Sequence, residues 1–193
     1  LMQLMNGDDN VKILRLLKLS GYSDKEVVEI LQAAGWTIAK IVCANFWLKE
    51  DFSEEEVSVG QADLEALDFL LRANLSKAQV VSALFETDCL NRRTINQLIA
   101  YGWTWQEFFQ ALFNSKHFNS RVYRMLIGFK DKQKKDMFDD SKFWALMSDL
   151  KIPDSGRIVL FVSAGKKLCQ VYKLCLDAGW TEKRLFTAVI KAR

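Results

Sequence analysis

The tripeptide Gly-Trp-Thr occurs three times in this chain, at residues 35–37, 102–104 and 179–181, and a softer copy, Gly21-Tyr22-Ser23, precedes them. A motif repeated so often is a ligand box, a catalytic loop or a folding device, and its flanks decide between them. Before Gly35, apolar residues at 27, 28, 30 and 31 follow helical spacing; after it, those at 38, 41, 42 and 47 do the same. Glycine is the preferred residue for the left-handed backbone that ends a helix, because it has no Cβ to clash. The next residue packs back on the helix just ended, Trp36 on Leu31, and Thr37 then N-caps the next helix. The residue before an N-cap also staples to an apolar residue five further on, here Ile41. The other copies obey the same arithmetic: Tyr22 with Leu17 and Val27, Trp103 with Leu98 and Phe108, Trp180 with Cys175 and Leu185. Every position has a folding task, so the motif reads as a helix-to-helix corner. Positive φ is expected at Gly35, Gly102 and Gly179, and burial of Trp36, Trp103 and Trp180.

Corners without glycine keep the capping half: Phe52-Ser53, Leu75-Ser76 and Leu90-Asn91. Glu26, Glu56, Gln79 and Glu107 stand three residues after a cap, where a capping box needs them. Caps at 23, 37, 53, 76, 91, 104, 119 and 181 are mostly 13 to 16 residues apart, room for a helix of about three turns and a short corner. Helices are expected near 9–19, 23–33, 37–47, 61–73, 76–86, 91–101, 104–114, 119–128, 141–150, 155–163, 166–177 and 181–192. The one strand-like run, 157–162, follows the only proline, Pro153, which together with Asp154 or Ser155 opens a helix as readily. No stretch alternates as hairpin strands do. The expected fold is all-α: a multi-helix bundle, or a short irregular α-superhelix, of helices of about ten residues. The charged stretch 130–140 separates an N-terminal helical subdomain, 1–129, from a C-terminal one, 141–193, and the two are expected to pack as one unit. The chain starts with Leu1, and its last helix reaches Arg193 without a stop signal, so a longer parent protein is expected.

The segment from Leu16 to Phe46, LLKLSGYSDKEVVEILQAAGWTIAKIVCANF, resembles the degenerate helical repeats of some large bacterial proteins, in which such corners alternate with helices. That resemblance extends over about the first two-thirds of the chain and implies a scaffold segment of a larger protein. The same segment resembles, over about thirty residues, the helical hairpin of ubiquitin-associated domains, whose Met-Gly-aromatic loop makes the ubiquitin contact. Gly21 and Tyr22 match that loop, and Ser20 stands where the family has methionine.

Chemistry is sparse. His117 is the only histidine and lies in a corner without a partner motif. Cys43, Cys89, Cys169 and Cys175 match no zinc spacing and read as buried reduced thiols, which points to a cytoplasmic setting, that of the producing cell or, for a secreted effector, of a host cell. No phosphate-binding, dinucleotide-binding or hydrolase motif occurs, so no cofactor, metal or catalytic residue is assigned. The longest apolar run, 158–162, is far too short to cross a bilayer, so no membrane span is expected. The net charge of +3 is mild for a dedicated nucleic-acid binder. Three features lack a folding task. Arg92 and Arg93 open a helix, where the helix dipole disfavours cations. Lys132, Lys134 and Lys135 form the densest basic cluster. Trp105 follows a cap and has the character of an interface anchor. These are the candidate partner-binding residues, with Gly21, Tyr22, Gly35, Trp36, Gly102, Trp103, Gly179 and Trp180 assigned to the corners. Another protein is the expected partner; a nucleic-acid-binding helical module and an enzyme with an unrecognised α-helical site are the alternatives.

Overall fold

A computed structural model describes residues 7–50, 59–127, 129 and 138–192. Among these residues there are twelve helices and no strand. They are α1 (Gly7–Leu19), α2 (Asp24–Ala33), α3 (Ile38–Glu50), α4 (Val59–Arg72), α5 (Lys77–Glu86), α6 (Arg92–Ala100), α7 (Trp105–Asn114), α8 (Ser120–Ile127), α9 (Asp140–Asp149), α10 (Asp154–Ser163), α11 (Leu168–Asp177) and α12 (Glu182–Lys191). The all-α fold and every helix expected from cap spacing are present, and the strand-like run 157–162 lies inside α10.

The corners explain the regularity. Gly35 has φ +84°, Gly102 +92° and Gly179 +77°. At the first of these, the Gly35 N–H donates to Gln32 O at 2.9 Å and the Trp36 N–H to Leu31 O at 2.9 Å, which satisfies two carbonyls left open at the end of α2. The same pair of bonds closes the corners at Gly102 and Gly179. Ser23, Ser76 and Thr104 then cap α2, α5 and α7, with Glu26, Gln79 and Glu107 returning the bond to the cap backbone. Glu56, assigned the same task, lies outside the described residues. Four residues after the caps, Val27, Ile41, Val80, Ile95, Phe108 and Phe143 are each 0% exposed. Burying one such side chain stabilises by about 1.5–3 kcal/mol, so the cap register is also the core register.

Two of the corner aromatics depart from expectation. Trp103 and Trp180 are buried, but Tyr22 is exposed and Trp36 only half-buried. The Lys40 ammonium lies over the Trp36 ring, 4.1 Å from its centre.

The chain forms two compact units, Leu1–His117 and Phe118–Arg193. The division falls ahead of α8 rather than in the charged stretch at 130–140, because α8 packs on α10, with Tyr123 against Phe161 and Phe143. Within each unit alternate helices pack together. In the first, α1, α3, α5 and α7 form one row and α2, α4 and α6 a second; in the second unit the rows are α8, α10, α12 and α9, α11.

Candidate interaction surfaces

Arg92 and Arg93 occupy the first two positions of α6 and are exposed. Asn91 caps that helix, its Oδ1 accepting from the backbone N–H groups of Arg93 and Thr94, and its Nδ2 donates to Asp63 Oδ2 at 2.6 Å. Trp105 opens α7. It is half-buried, its ring centre 6.1 Å from those of Phe108 and Phe109, so it has a packing task that its position after a cap did not reveal. The remainder of α6, residues 94–100 and about 10 Å of helix, separates the arginine pair from the corner leading to Trp105. Lys132, Lys134 and Lys135 lie outside the described residues. His117 stacks on Phe85 with ring centres 4.3 Å apart, and its Nε2 is 2.9 Å from Ser82 Oγ. Among the described residues, no group of three or more His, Cys, Asp or Glu is placed to hold a metal ion.

Two features of the second unit escaped the sequence. The first is a polar knot in the core. Arg157 sits four residues after the Pro153 cap, where the other caps are followed by an apolar side chain, and it is buried. Its Nε donates to Ile152 O at 2.8 Å, one terminal nitrogen donates to Ser148 Oγ, and another lies 3.8 Å from Asp154 Oδ1. Its guanidinium lies 5.9 Å from the ring centres of both Trp144 and Trp180. Arg184 covers Trp180 at 4.3 Å and donates to both oxygens of Asp154, at 2.7 and 3.0 Å. The Arg184 hydrogen bonds hold the Asp154 carboxyl below the usual carboxylate range. Burial pushes the adjacent Cys175 thiol up to about 11, which removes it from nucleophilic chemistry at neutral pH. Of the four thiols expected to be buried it alone is; Cys89 is half-buried, and Cys43 and Cys169 lie on exposed helix faces. Beside the knot, a cavity of about 480 Å³ is lined by Ser155, Thr181, Lys183, Arg184 and Lys191 among others.

The second feature is an apolar groove of about 460 Å³ between α11 and α12, lined by Ile158, Leu168, Cys169, Val171, Tyr172, Leu185, Phe186 and Val189. Cap register shows what is unusual about it. Five residues after the cap, Val28, Val42, Val81, Phe109, Trp144 and Ile158 are buried. Where that position is exposed in α6 and α8, it is polar: Asn96 and Arg124. In α11 and α12 it is apolar and exposed: Tyr172 at 38% and Phe186 at 68%. Leu168, at 64%, continues the patch. Alternation of apolar residues could not announce this, because Phe186 and Phe109 have the same spacing from their caps and differ only in what covers them.

Comparison of the chain with protein-family models, with curated proteins and with solved structures returned no match. No described helix is long and apolar enough to cross a membrane.

Proposed function

We propose that this chain is a protein-interaction module, a scaffold segment of a larger bacterial protein of the kind its corner motifs resemble, with the cytoplasm of the producing cell or of a host cell as its setting. The observation that carries the reading is the uncovered α11–α12 groove. An apolar strip in a register where this chain elsewhere buries apolar side chains or places polar ones is the mark of a binding surface rather than of random surface hydrophobicity. Arg92, Arg93 and the lysines at 132, 134 and 135 then serve as steering charges at most. The test is an affinity capture from native lysate with wild-type chain and with Phe186→Ala, analysed side by side. A partner retained by the first and lost by the second supports the reading; identical captures overturn it.

A nucleic-acid reading rests on charge. Residues 118–193 carry sixteen Lys and Arg against eight Asp and Glu, whereas residues 1–117 carry eleven against sixteen. The Lys183–Arg184–Lys191 cavity lies on the basic unit. A mobility shift with a random-sequence duplex that weakens steeply with salt in wild type, and that in Lys183→Glu/Lys191→Glu is weaker at every salt with a shallower salt dependence, would favour it over the protein reading.

A further inference from the structure

We propose that the α11–α12 groove receives an amphipathic helix of about three turns whose apolar stripe is bordered by acidic residues, presented by another protein. The inference rests on the protein-binding reading above and names its partner chemistry.

That the occupant is helical follows from what the chain does elsewhere. A pair of its helices joined by a corner takes a third helix across both members: α3 packs on α1 and α2, and α12 on α10 and α11. The residues five after the cap in α11 and α12 are the side chains that such a helix would bury, and they are large, Tyr172 and Phe186. Each groove wall is ten residues, about 15 Å, which sets the occupant at three turns. A straight apolar stripe on one helix face is the matching shape.

That the flanks are acidic follows from charge. Lys183 stands one turn before Phe186, and Lys173 one turn after Cys169, both exposed on the helices that form the walls. Glu182, the acid that opens α12, already accepts a hydrogen bond from the Tyr172 hydroxyl at 3.2 Å. The unit as a whole carries twice as many cations as anions. Acidic flanks thus gain on approach and lose nothing to like charge at the two lysines, whereas basic flanks are repelled.

The probe is a fluorescein-labelled, helix-stapled peptide with the sequence SDKEVVEILQA, copied from Ser23–Ala33, whose stripe is Val27, Val28 and Leu31 and whose flanks hold three acids and one lysine. A second peptide carries Asp24→Lys, Glu26→Lys and Glu29→Lys. Fluorescence anisotropy against the full chain should give at least tenfold tighter binding of the acidic peptide. Phe186→Ala and Leu168→Ala should each weaken it at least tenfold with an unchanged helical circular-dichroism spectrum; both sites are exposed, and alanine is a good helix residue. Lys173→Glu/Lys183→Glu should reverse the preference between the peptides. Equal binding of both peptides, no binding of either, or affinity untouched by Phe186→Ala overturns the proposal. So does a wild-type chain that sediments as an oligomer and becomes monomeric in Phe186→Ala, since the groove then belongs to a second copy. A partner captured by wild type and lost in Phe186→Ala, with neither peptide bound, would leave the protein-binding reading standing and remove only the acidic helix.

Discussion

Among the described residues nine have positive φ, and four of them are not glycine: Asn74 at 54°, Asp88 at 62°, Lys116 at 61° and Lys151 at 55°. Left-handed backbone costs an L-residue about 1–2 kcal/mol, less for Asn and Asp, whose short polar side chains bond locally. Lys116 and Lys151 gain no such relief. Lys116→Gly and Lys151→Gly are therefore each expected to raise stability by about 1 kcal/mol, read from urea midpoints at constant slope. The converse holds at Gly102 and Gly179, where a Cβ would meet nothing within 4 Å. Alanine there should lower stability by about 1 kcal/mol, through conformation and not through collision. These positions also mark what the sequence discloses. Gly35, Gly102 and Gly179 announce their corners because glycine, an aromatic and a capping hydroxyl coincide. Gly165, followed by Lys166 and Lys167, lacks the last two signals, and Lys116 and Lys151 lack the first, so there helix spacing places the break and the left-handed residue shows only once the backbone is traced.

At the scale of the helix, length and register were legible because caps and staples are local chemistry; which face would be left uncovered was not, because that depends on helices distant in sequence. Arg157 shows the difference. By position it should be apolar, and its aromatic neighbours in space, Trp144 and Trp180, come from two further stretches of chain, while Asp154 stands one turn before it on α10. Removing it leaves Ile152 O without that donor and strips Asp154 of one of its two cations. Arg157→Ala is expected to cost about 3 kcal/mol, the usual scale for breaking a buried charged contact. Arg157→Met should cost less, since methionine refills the space and Asp154 keeps Arg184. Trp180→Ala should cost about 3–5 kcal/mol, and Trp36→Ala clearly less because its ring is half-exposed. Thermal unfolding of the four variants ranks them directly.

At the scale of the whole molecule, among the described residues each unit has one aspartate that ties two cations: Asp24 holds Lys18 and Arg72, and Asp154 holds Arg157 and Arg184. Burial alone would raise Asp24, but the Arg72 and Lys18 contacts outweigh it and its carboxyl lies below the usual range; for Asp154 the Arg184 hydrogen bonds dominate. Both folded-state values are depressed, so this stabilisation is complete above the unfolded carboxylate pKa of about 3.9 and is lost as pH falls through the folded values. The thermal midpoint should be level from pH 7 to about pH 5 and drop below about pH 4, and Asp24→Asn with Asp154→Asn should flatten that drop.

Packing by alternate rows governs how quickly the chain finds its structure. Each helix meets its row neighbour after only one intervening helix, so the loops that must close are short and their entropy cost is small. Such topologies fold in microseconds to milliseconds, and a growing chain can complete each layer before the next has left the ribosome. Tryptophan fluorescence after rapid dilution from urea should recover within about ten milliseconds; recovery over seconds would mean that contacts more distant than these rows limit the rate.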